Sequence, residues 1–265
     1  MDEDRPSPSA TPSAPTLARA LADALGPVAD GSAADFSVAV LDTRSGARGV
    51  YGDGSYDTAS IVKVGILAAL LLKAQDEGRQ LTARERSYAT VMIEHSDNDA
   101  ATSLWKTIGG ADGLDAAHRR LGLTRTRGGD GGRWGLTRTT AADQLKLLTA
   151  VFGGAGAGGS ALGERSRAYL RSLMGRISDG QSWGVSAAAD GTGNGTRLKN
   201  GWLPRSTTGL WDVNSIGQVT AGGRTYLVAV LSDGSKDMDS GVALVEKAAR
   251  AAVRAAAALS ACGSS

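Results

Sequence analysis

The clearest feature of the hydropathy pattern is a run from Ile61 to Leu72 in which nearly every residue is Ile, Val, Leu or Ala. Only Lys63 and Gly65 interrupt this run of 12 residues. Such a run is too short to cross a bilayer, but it suits a helix that is buried on all sides. We expect Asp57 or Thr58 to cap the start of this helix.

Helical periodicity recurs at the N-terminus and through the middle of the chain. A first helix is predicted from Thr16 to Val28, with a stop at Gly26-Pro27. In the middle, capping residues followed by apolar spacing predict helices over 82–93, 97–108, 112–121, 139–152 and 164–174. A glycine-rich break at 153–159 separates the last two.

Strand patterns occur only near the two ends. They predict strands at 36–40 and 47–51, then at 196–202, 213–219 and 225–231, before a long alanine-rich helix over 239–259. Strands at both ends with helices between them predict an α/β (α+β) fold whose single sheet is built from both halves of the chain. We expect a sheet lobe from 16–59 and 176–265, a helical lobe from 60–175, and a cleft between them.

Residues 1–15 differ from the rest in composition. Four prolines among Ser, Thr and Ala predict a disordered linker, which leaves 16–265 as one domain. No charged segment followed by an apolar one precedes it, so no secretory signal is visible. Such a tail is typical of what remains after a signal or lipid anchor is removed, and we expect a secreted or cell-envelope protein.

Charge and composition argue against several classes of protein. A formal net charge of +2 gives no electrostatic support to a nucleic-acid or anionic-membrane partner. Cys262 is the only cysteine, so no intrachain disulfide can form, and His95 and His118 are not at metal-ligand spacing. We therefore expect no metal or other cofactor, no membrane span, and a monomer that acts on a small molecule.

Ser60 and Lys63 are the first candidate catalytic pair. They lie three residues apart, on one face at the start of the buried helix. Burial disfavours an ammonium, so the pKa of Lys63 should fall, and a partly neutral amine can take the proton of Ser60 and make it a nucleophile. The alternative is a capping serine beside a lysine whose head reaches solvent. The tetrapeptide alone favours this alternative, since Ser-x-x-Lys is common.

Two more short motifs lie where the expected cleft would need them. Ser96-Asp97-Asn98 occupies a predicted helix start, and Lys199-Asn200-Gly201 lies on a predicted strand, followed by Trp202. A cation there can hold an anionic substrate group, and a glycine lets the backbone approach a ligand. Alone, the first is an ordinary N-cap cluster and the second an edge-strand lysine. The chance occurrence of all three motifs in this order is much less probable than that of any one of them.

Together, these motifs resemble the signature of the class A β-lactamases and related penicillin-binding serine hydrolases, which is Ser-x-x-Lys, Ser-Asp-Asn and Lys-Thr-Gly. The resemblance extends from about Leu17 to Val253, and is especially close from Ser96 to Gly110. It implies a β-lactamase-like fold, with a five-stranded antiparallel sheet flanked by terminal helices and an all-helical lobe.

The resemblance also implies a role for each site residue. Ser60 would be the acylated nucleophile and Lys63 its proton acceptor. Ser96 would relay a proton to the leaving group, Asn98 would bind the substrate amide, and Lys199 would bind the substrate carboxylate.

The remaining implied residues follow Lys199 directly. Asn200 takes the place of the family's threonine, which binds the substrate carboxylate, and Gly201 completes the motif. The backbone N–H groups of Ser60 and Trp202 would form the oxyanion hole.

Two departures from the family pattern bear on function. Ser96 follows Ser60 by 36 residues, a shorter interval than in true lactamases. The loop between Leu121 and Thr139 lacks the family's Glu-x-x-Leu-Asn pattern, whose glutamate activates the deacylating water. Asp130 is the only acidic residue in that loop, and Glu94 is a second weak candidate for the base.

The sequence thus predicts a serine hydrolase that acts through an acyl-enzyme on β-lactams or related amides and esters, with slow deacylation. A D-Ala-D-Ala-type peptidase or esterase, acting on a peptidoglycan-like peptide, is the enzymatic alternative. An alternative of another class is a penicillin-binding sensor or sink that is acylated once and never turns over.

Overall fold

A computed structural model describes residues 16–153, 159–191 and 195–262. The predicted linker at 1–15 lies outside these residues, as does most of the predicted glycine-rich break at 153–159.

The strands form one large and one small sheet. In chain order they are β1 (Asp35–Asp42), β2 (Arg48–Tyr51), β3 (Tyr56–Asp57), β4 (Arg138–Thr139), β5 (Arg197–Pro204), β6 (Trp211–Ala221) and β7 (Arg224–Ser235). The five-stranded sheet has the order β2-β1-β7-β6-β5 and is antiparallel throughout. The short strands β3 and β4 pair with each other. β3 immediately precedes the segment that carries Ser60. The five-stranded antiparallel sheet is therefore confirmed.

The described residues also contain eight α-helices. They are α1 (Leu17–Asp30), α2 (Val62–Asp76), α3 (Ala83–Glu94), α4 (Asn98–Ile108), α5 (Gly110–Arg120), α6 (Ala141–Phe152), α7 (Glu164–Met174) and α8 (Met238–Cys262). α1 and α8 pack against each other and against the sheet, and α2 to α7 form the helical part. None of the helices in the described ranges is long and apolar enough to cross a membrane.

Helix α2 is the centre of the larger hydrophobic core. Its residues from Val62 to Leu72 are all buried, as the run of apolar residues predicts. Around it pack apolar side chains of the other central helices and of the inner sheet face, among them Leu104, Leu148 and Leu231. A second core lies between the outer sheet face and the terminal helices. β1 is buried on both faces because it runs between these two cores.

Three helices, α3, α4 and α6, begin at predicted capping residues. Thr82 and Glu85 form a reciprocal capping box, and Asp97 and Thr140 accept hydrogen bonds from the first turns of α4 and α6. α5 begins at Gly110, two residues earlier than predicted, because Gly109 (φ 93°) ends α4 and starts α5 without a linker.

The predicted stop of α1 at Gly26-Pro27 is wrong. The helix continues to Asp30 although Pro27 cannot donate a backbone hydrogen bond. Leu25 and Val28, on either side of the proline, are buried in the core between α1 and the sheet. Their burial favours the helical path.

Candidate active site

Ser60 lies in a short 3₁₀ turn, Ala59–Ile61, which leads directly into α2. Ala59 has φ 46°, a left-handed conformation that is costly for a residue with a Cβ. The expected caps are not formed: Thr58 is helical in conformation and makes no capping bond. Asp57 instead pairs with Arg205 and Arg138. The backbone before Ser60 is therefore held by contacts with distant parts of the chain.

One of these contacts comes from Asn214, at the middle of β6. Its carboxamide donates to the carbonyl of Asp57 at 2.9 Å and to that of Thr58 at 3.2 Å. Its oxygen accepts from the backbone of Ser232 at 3.1 Å, and the side chain is fully buried. Asn214 was missed by sequence analysis because it belongs to no local motif, and only the sheet brings it to the turn.

The Lys63 amine is surrounded by four acceptors. Nζ lies 3.0 Å from Ser60 Oγ, 2.6 Å from the carbonyl oxygen of Ser96, 3.1 Å from Ser96 Oγ and 2.8 Å from Asn98 Oδ1. Burial lowers the pKa of Lys63 to about 7, against the opposing field of Asp97. Near neutral pH this amine is therefore divided between its charged and neutral forms.

Ser96 lies between two lysines. Its Oγ is 3.1 Å from Lys63 Nζ and 3.0 Å from Lys199 Nζ. Ser96 has φ 57°; with Ala59 it is one of two non-glycine residues in the described ranges with a positive φ. Backbone strain thus occurs at Ser96 and at the residue immediately before Ser60, and active sites are where such strain tends to be stored.

Lys199 is completely buried. Besides Ser96, its amine contacts the carbonyl of Asn200 at 3.1 Å and Gln181 Oε1 at 3.3 Å. Burial, and then repulsion from Lys63, hold the pKa of Lys199 well below its ordinary value. Gln181 was not predicted, since it lies in a short 3₁₀ turn between α7 and β5 that has no recognisable motif.

Asn98 begins α4 and is the most exposed of the predicted polar residues. Its carboxamide oxygen accepts from Lys63, as given above. That contact orients the amide and leaves its NH₂ group as a donor at the surface of the site.

Gly201 brings β5 against the nucleophile turn. A Cβ at this position would lie 2.7 Å from the backbone nitrogen of Ser60, 2.7 Å from the carbonyl oxygen of Thr58 and 2.8 Å from the nitrogen of Ile61. The glycine was predicted to let the backbone approach a ligand. Its observed contact is with the chain itself, and it sets Ser60 beside the strand.

Asn200 does not face the same side of β5 as Lys199, because successive strand residues point in opposite directions. Its Nδ2 donates to the carbonyls of Gln181 at 2.8 Å and Trp183 at 3.1 Å, and the side chain is fully buried. In the structure it holds the turn from which Gln181 reaches Lys199, and its contact with substrate stays a prediction.

Trp202 follows Gly201 on β5 and is half-buried. The indole packs edge-on against Trp183, with ring centroids 5.8 Å apart. Its predicted contact with substrate stays a prediction.

Neither candidate deacylation base reaches the amine. Asp130 is exposed, and Glu94 pairs with Arg176 at 2.8 Å. Within the described part of the chain, no carboxylate hydrogen-bonds Ser60 or Lys63. The group from the 122–139 loop that lies beside Lys63 is the indole of Trp134, whose ring centroid is 4.9 Å from Nζ. Trp134 was not predicted.

Comparison with solved structures places the fold among the class A β-lactamases. A class A β-lactamase from Bacteroides cellulosilyticus superposes with a TM-score of 0.76 at 17% identity, covering 92% of this chain and 99% of that one. An ancestral class A β-lactamase gives 0.72 at 24% identity, covering 89% and 99%. A β-lactamase from Xanthomonas campestris gives 0.71 at 20% identity, covering 89% and 97%.

The chain belongs to the beta-lactamase enzyme family, whose family model matches residues 85–256. The matched region contains Ser96, Asn98 and Lys199 but begins after Ser60 and Lys63. The family resemblance expected from the sequence is thereby confirmed.

Among individual relatives, the protein named "Putative lipoprotein LppW" of Mycobacterium tuberculosis is 35% identical over 125 residues. The same protein of Mycobacterium bovis matches equally. The aligned region covers 46% of this chain and 40% of theirs.

Proposed function

We propose that this protein is a serine hydrolase that forms an acyl-enzyme at Ser60 with β-lactams or related amides and esters. The observation that carries the proposal is the buried Lys63 amine, 3.0 Å from Ser60 Oγ and with a pKa lowered to about 7. A base of that pKa is well matched to proton transfer near neutral pH. Family membership supports the hydrolase class.

Acylation follows from the contacts around Ser60. Neutral Lys63 takes the hydroxyl proton while Oγ forms a bond to the substrate carbonyl carbon. As the C–N bond of a lactam breaks, the nitrogen takes a proton from the Ser96 hydroxyl, and Lys63 returns a proton to Ser96. The 3.1 Å contact between Nζ and Ser96 Oγ supports this relay.

The oxyanion hole is assigned to the N–H groups of Ser60 and Trp202. Gly201 supports this assignment, because the lack of a Cβ lets β5 come close to the backbone nitrogen of Ser60. Such donors, fixed before the reaction, stabilise charge as it develops on the carbonyl oxygen.

Substrate binding is assigned to Asn98 and Lys199. The exposed NH₂ of Asn98 suits a substrate amide oxygen. Lys199 is buried and its amine donates a hydrogen bond to Ser96 Oγ. It therefore interacts with a substrate carboxylate through Ser96, or directly after a local rearrangement. Because Gln181 and Ser96 accept hydrogen bonds from Lys199, the amine is already oriented towards the site.

Slow deacylation is the second part of the proposal. General-base assistance is worth roughly a hundred- to ten-thousandfold in rate. The absence of a carboxylate contact to Ser60 or Lys63 in the described ranges supports weak assistance. The same observation favours the second candidate function, a penicillin-binding sensor or sink that is acylated once and does not release the acyl group.

A location at the cell envelope is also proposed, supported by the lipoprotein name of LppW.

Intact mass spectrometry after incubation with a penicillin tests the proposal. We expect one covalent adduct on the wild-type protein, none on Ser60→Ala, and an unchanged adduct on the control Ser55→Ala, whose side chain is exposed. An adduct on Ser60→Ala would refute the assignment. Catalytic release of product separates a hydrolase from a sink, which stops after one equivalent.

A further inference from the structure

The loop between α5 and α6, which carries Trp134, is held in place by hydrogen bonds to the rest of the fold. Asp143, which is buried, accepts from the backbone of Arg125 at 2.7 Å and from Thr126 Oγ1 at 2.9 Å. The backbone of Gly128 donates to Asp115 at 2.7 Å, and that of Gly129 to Thr137 Oγ1 at 3.2 Å. These bonds hold both ends of the loop.

The far part of the loop lies against the nucleophile turn. The backbone N–H of Thr58 donates to the carbonyl of Thr137 at 2.9 Å, and Thr58 Oγ1 donates to that of Gly135 at 3.4 Å. A Cβ on Gly135 would lie 3.8 Å from Ala59 Cα. The loop and the Ser60 turn therefore form a single packed unit.

Trp134 is oriented by a hydrogen bond and by packing. Its Nε1 donates to Thr102 Oγ1 at 3.2 Å, and the ring packs against the core around α2. The ring centroid lies 4.9 Å from Lys63 Nζ, within the roughly 6 Å range of a cation–π contact. Since Ser60 Oγ is 3.0 Å from the same nitrogen, the indole is a near neighbour of the reacting oxygen.

We propose that Trp134 restricts water beside Lys63, so that it determines how slowly the acyl-enzyme at Ser60 is hydrolysed. This inference rests on the proposed acyl-enzyme. Hydrolysis requires a water that loses its proton to neutral Lys63 while its oxygen bonds to the ester carbon. The ester C–O bond to Ser60 then breaks, and Lys63 returns the proton to Ser60 Oγ. An apolar ring beside Nζ competes with that water for space and gives it no hydrogen-bond acceptor.

The experiment measures acylation and deacylation separately in the full chain. Protein is acylated with a penicillin at pH 8.5, where Lys63 is mostly neutral, excess drug is removed, and adduct loss is followed by intact mass spectrometry. The variants are Trp134→Ala, Trp134→Phe, which keeps an aromatic ring, and Trp211→Ala. The last removes an indole from the start of β6, on the outer core.

We expect the adduct of Trp134→Ala to decay about tenfold faster or more, a small part of the gain that general-base catalysis can give. Its acylation rate at pH 8.5 should stay within about threefold of wild type, because Lys63 is already mostly neutral there and keeps its own contact with Ser60 Oγ. Trp134→Phe and Trp211→Ala should decay at the wild-type rate. A merely structural role would slow acylation and would not speed adduct loss.

Equal decay in Trp134→Ala and wild type would overturn this inference alone. The absence of any wild-type adduct would overturn the proposed function and this inference with it. If Trp134→Ala does not fold, Trp134→Leu keeps an apolar contact with the helical core and must show the same acceleration.

Discussion

Gly201 leaves room for the backbone nitrogen of Ser60: a Cβ on residue 201 would lie 2.7 Å from that nitrogen. This distance is far below an ordinary van der Waals contact. The atoms that the Cβ would meet are main-chain atoms, which cannot move independently. The edge strand and the nucleophile turn therefore fit together only with glycine at this position.

Gly201→Ala should move β5 away from the turn and disturb the proposed oxyanion hole. We expect acylation to slow by about a hundredfold, as when one oxyanion donor is lost, and stability to fall by about 1–3 kcal/mol from overpacking. Thermal unfolding and adduct formation measure the two effects. Gly180→Ala is the control, because a Cβ there meets nothing within 4 Å. Normal acylation by Gly201→Ala would contradict the proposed arrangement.

The acylation rate should depend on the ionisation of Lys63. Because only the neutral amine accepts a proton, and burial lowers its pKa to about 7, the rate should fall about tenfold per pH unit below that value and level off above it. Lys63→Arg should acylate about a hundredfold or more slowly, since a guanidinium stays protonated. Adduct formation between pH 5 and 9 provides the profile. A flat profile would show that Lys63 is not the base.

Asn214 should matter for both stability and rate. Asn214→Leu removes the donor from two carbonyls that precede Ala59, which should cost about 1–3 kcal/mol. The left-handed Ala59 can then relax, so acylation should slow as well. Gln218→Leu, a half-buried change on the same strand, serves as the control for both measurements. Unchanged acylation in a destabilised Asn214→Leu would limit this side chain to a structural role.

We expect His118 to make the fold sensitive to acid. It is buried beside α2, where a Cβ on Gly65 would lie 3.1 Å from its Nε2, and burial lowers the pKa of His118 to about 4. An unfolded histidine has a pKa near 6.5, so the unfolded state binds the proton first as the pH falls. The part of the folding free energy that depends on a neutral His118 is complete above about pH 6.5. It is lost as the pH falls from there to about pH 4.

His118→Gln should therefore lose less stability on acidification than the wild type. Between pH 7.5 and pH 4.5 the difference should be about 2–3 kcal/mol. Urea unfolding at the two pH values measures it. The variant must remain folded at pH 7.5, and equal acid sensitivity in both proteins would remove His118 as the cause.

The sequence was most informative where function depends on neighbours along the chain. Ser60 and Lys63 share a helical face because they are three residues apart, and Asp97 caps α4 because capping is local. Gln181, Asn214 and Trp134 reach the site through tertiary packing, so no spacing indicated them. The bonds of Asn200 to the turn at Gln181 and Trp183 could not be predicted either, because a motif specifies residue order but not which groups the fold brings to each side chain.

The pairing of β1 with β7 has a consequence for synthesis of the protein. Val38 pairs with Val230, so this contact joins residues 192 positions apart. A sheet that pairs residues so far apart in the sequence predicts slow folding, because closing the long loop between them is costly before the pairs can form. Lys199 and the Gly201 contact also come from the last third of the chain. A partly synthesised chain that ends before β5 would hold Ser60 without its partner strand, and reactivity towards a penicillin would therefore report that the C-terminal strands have been added.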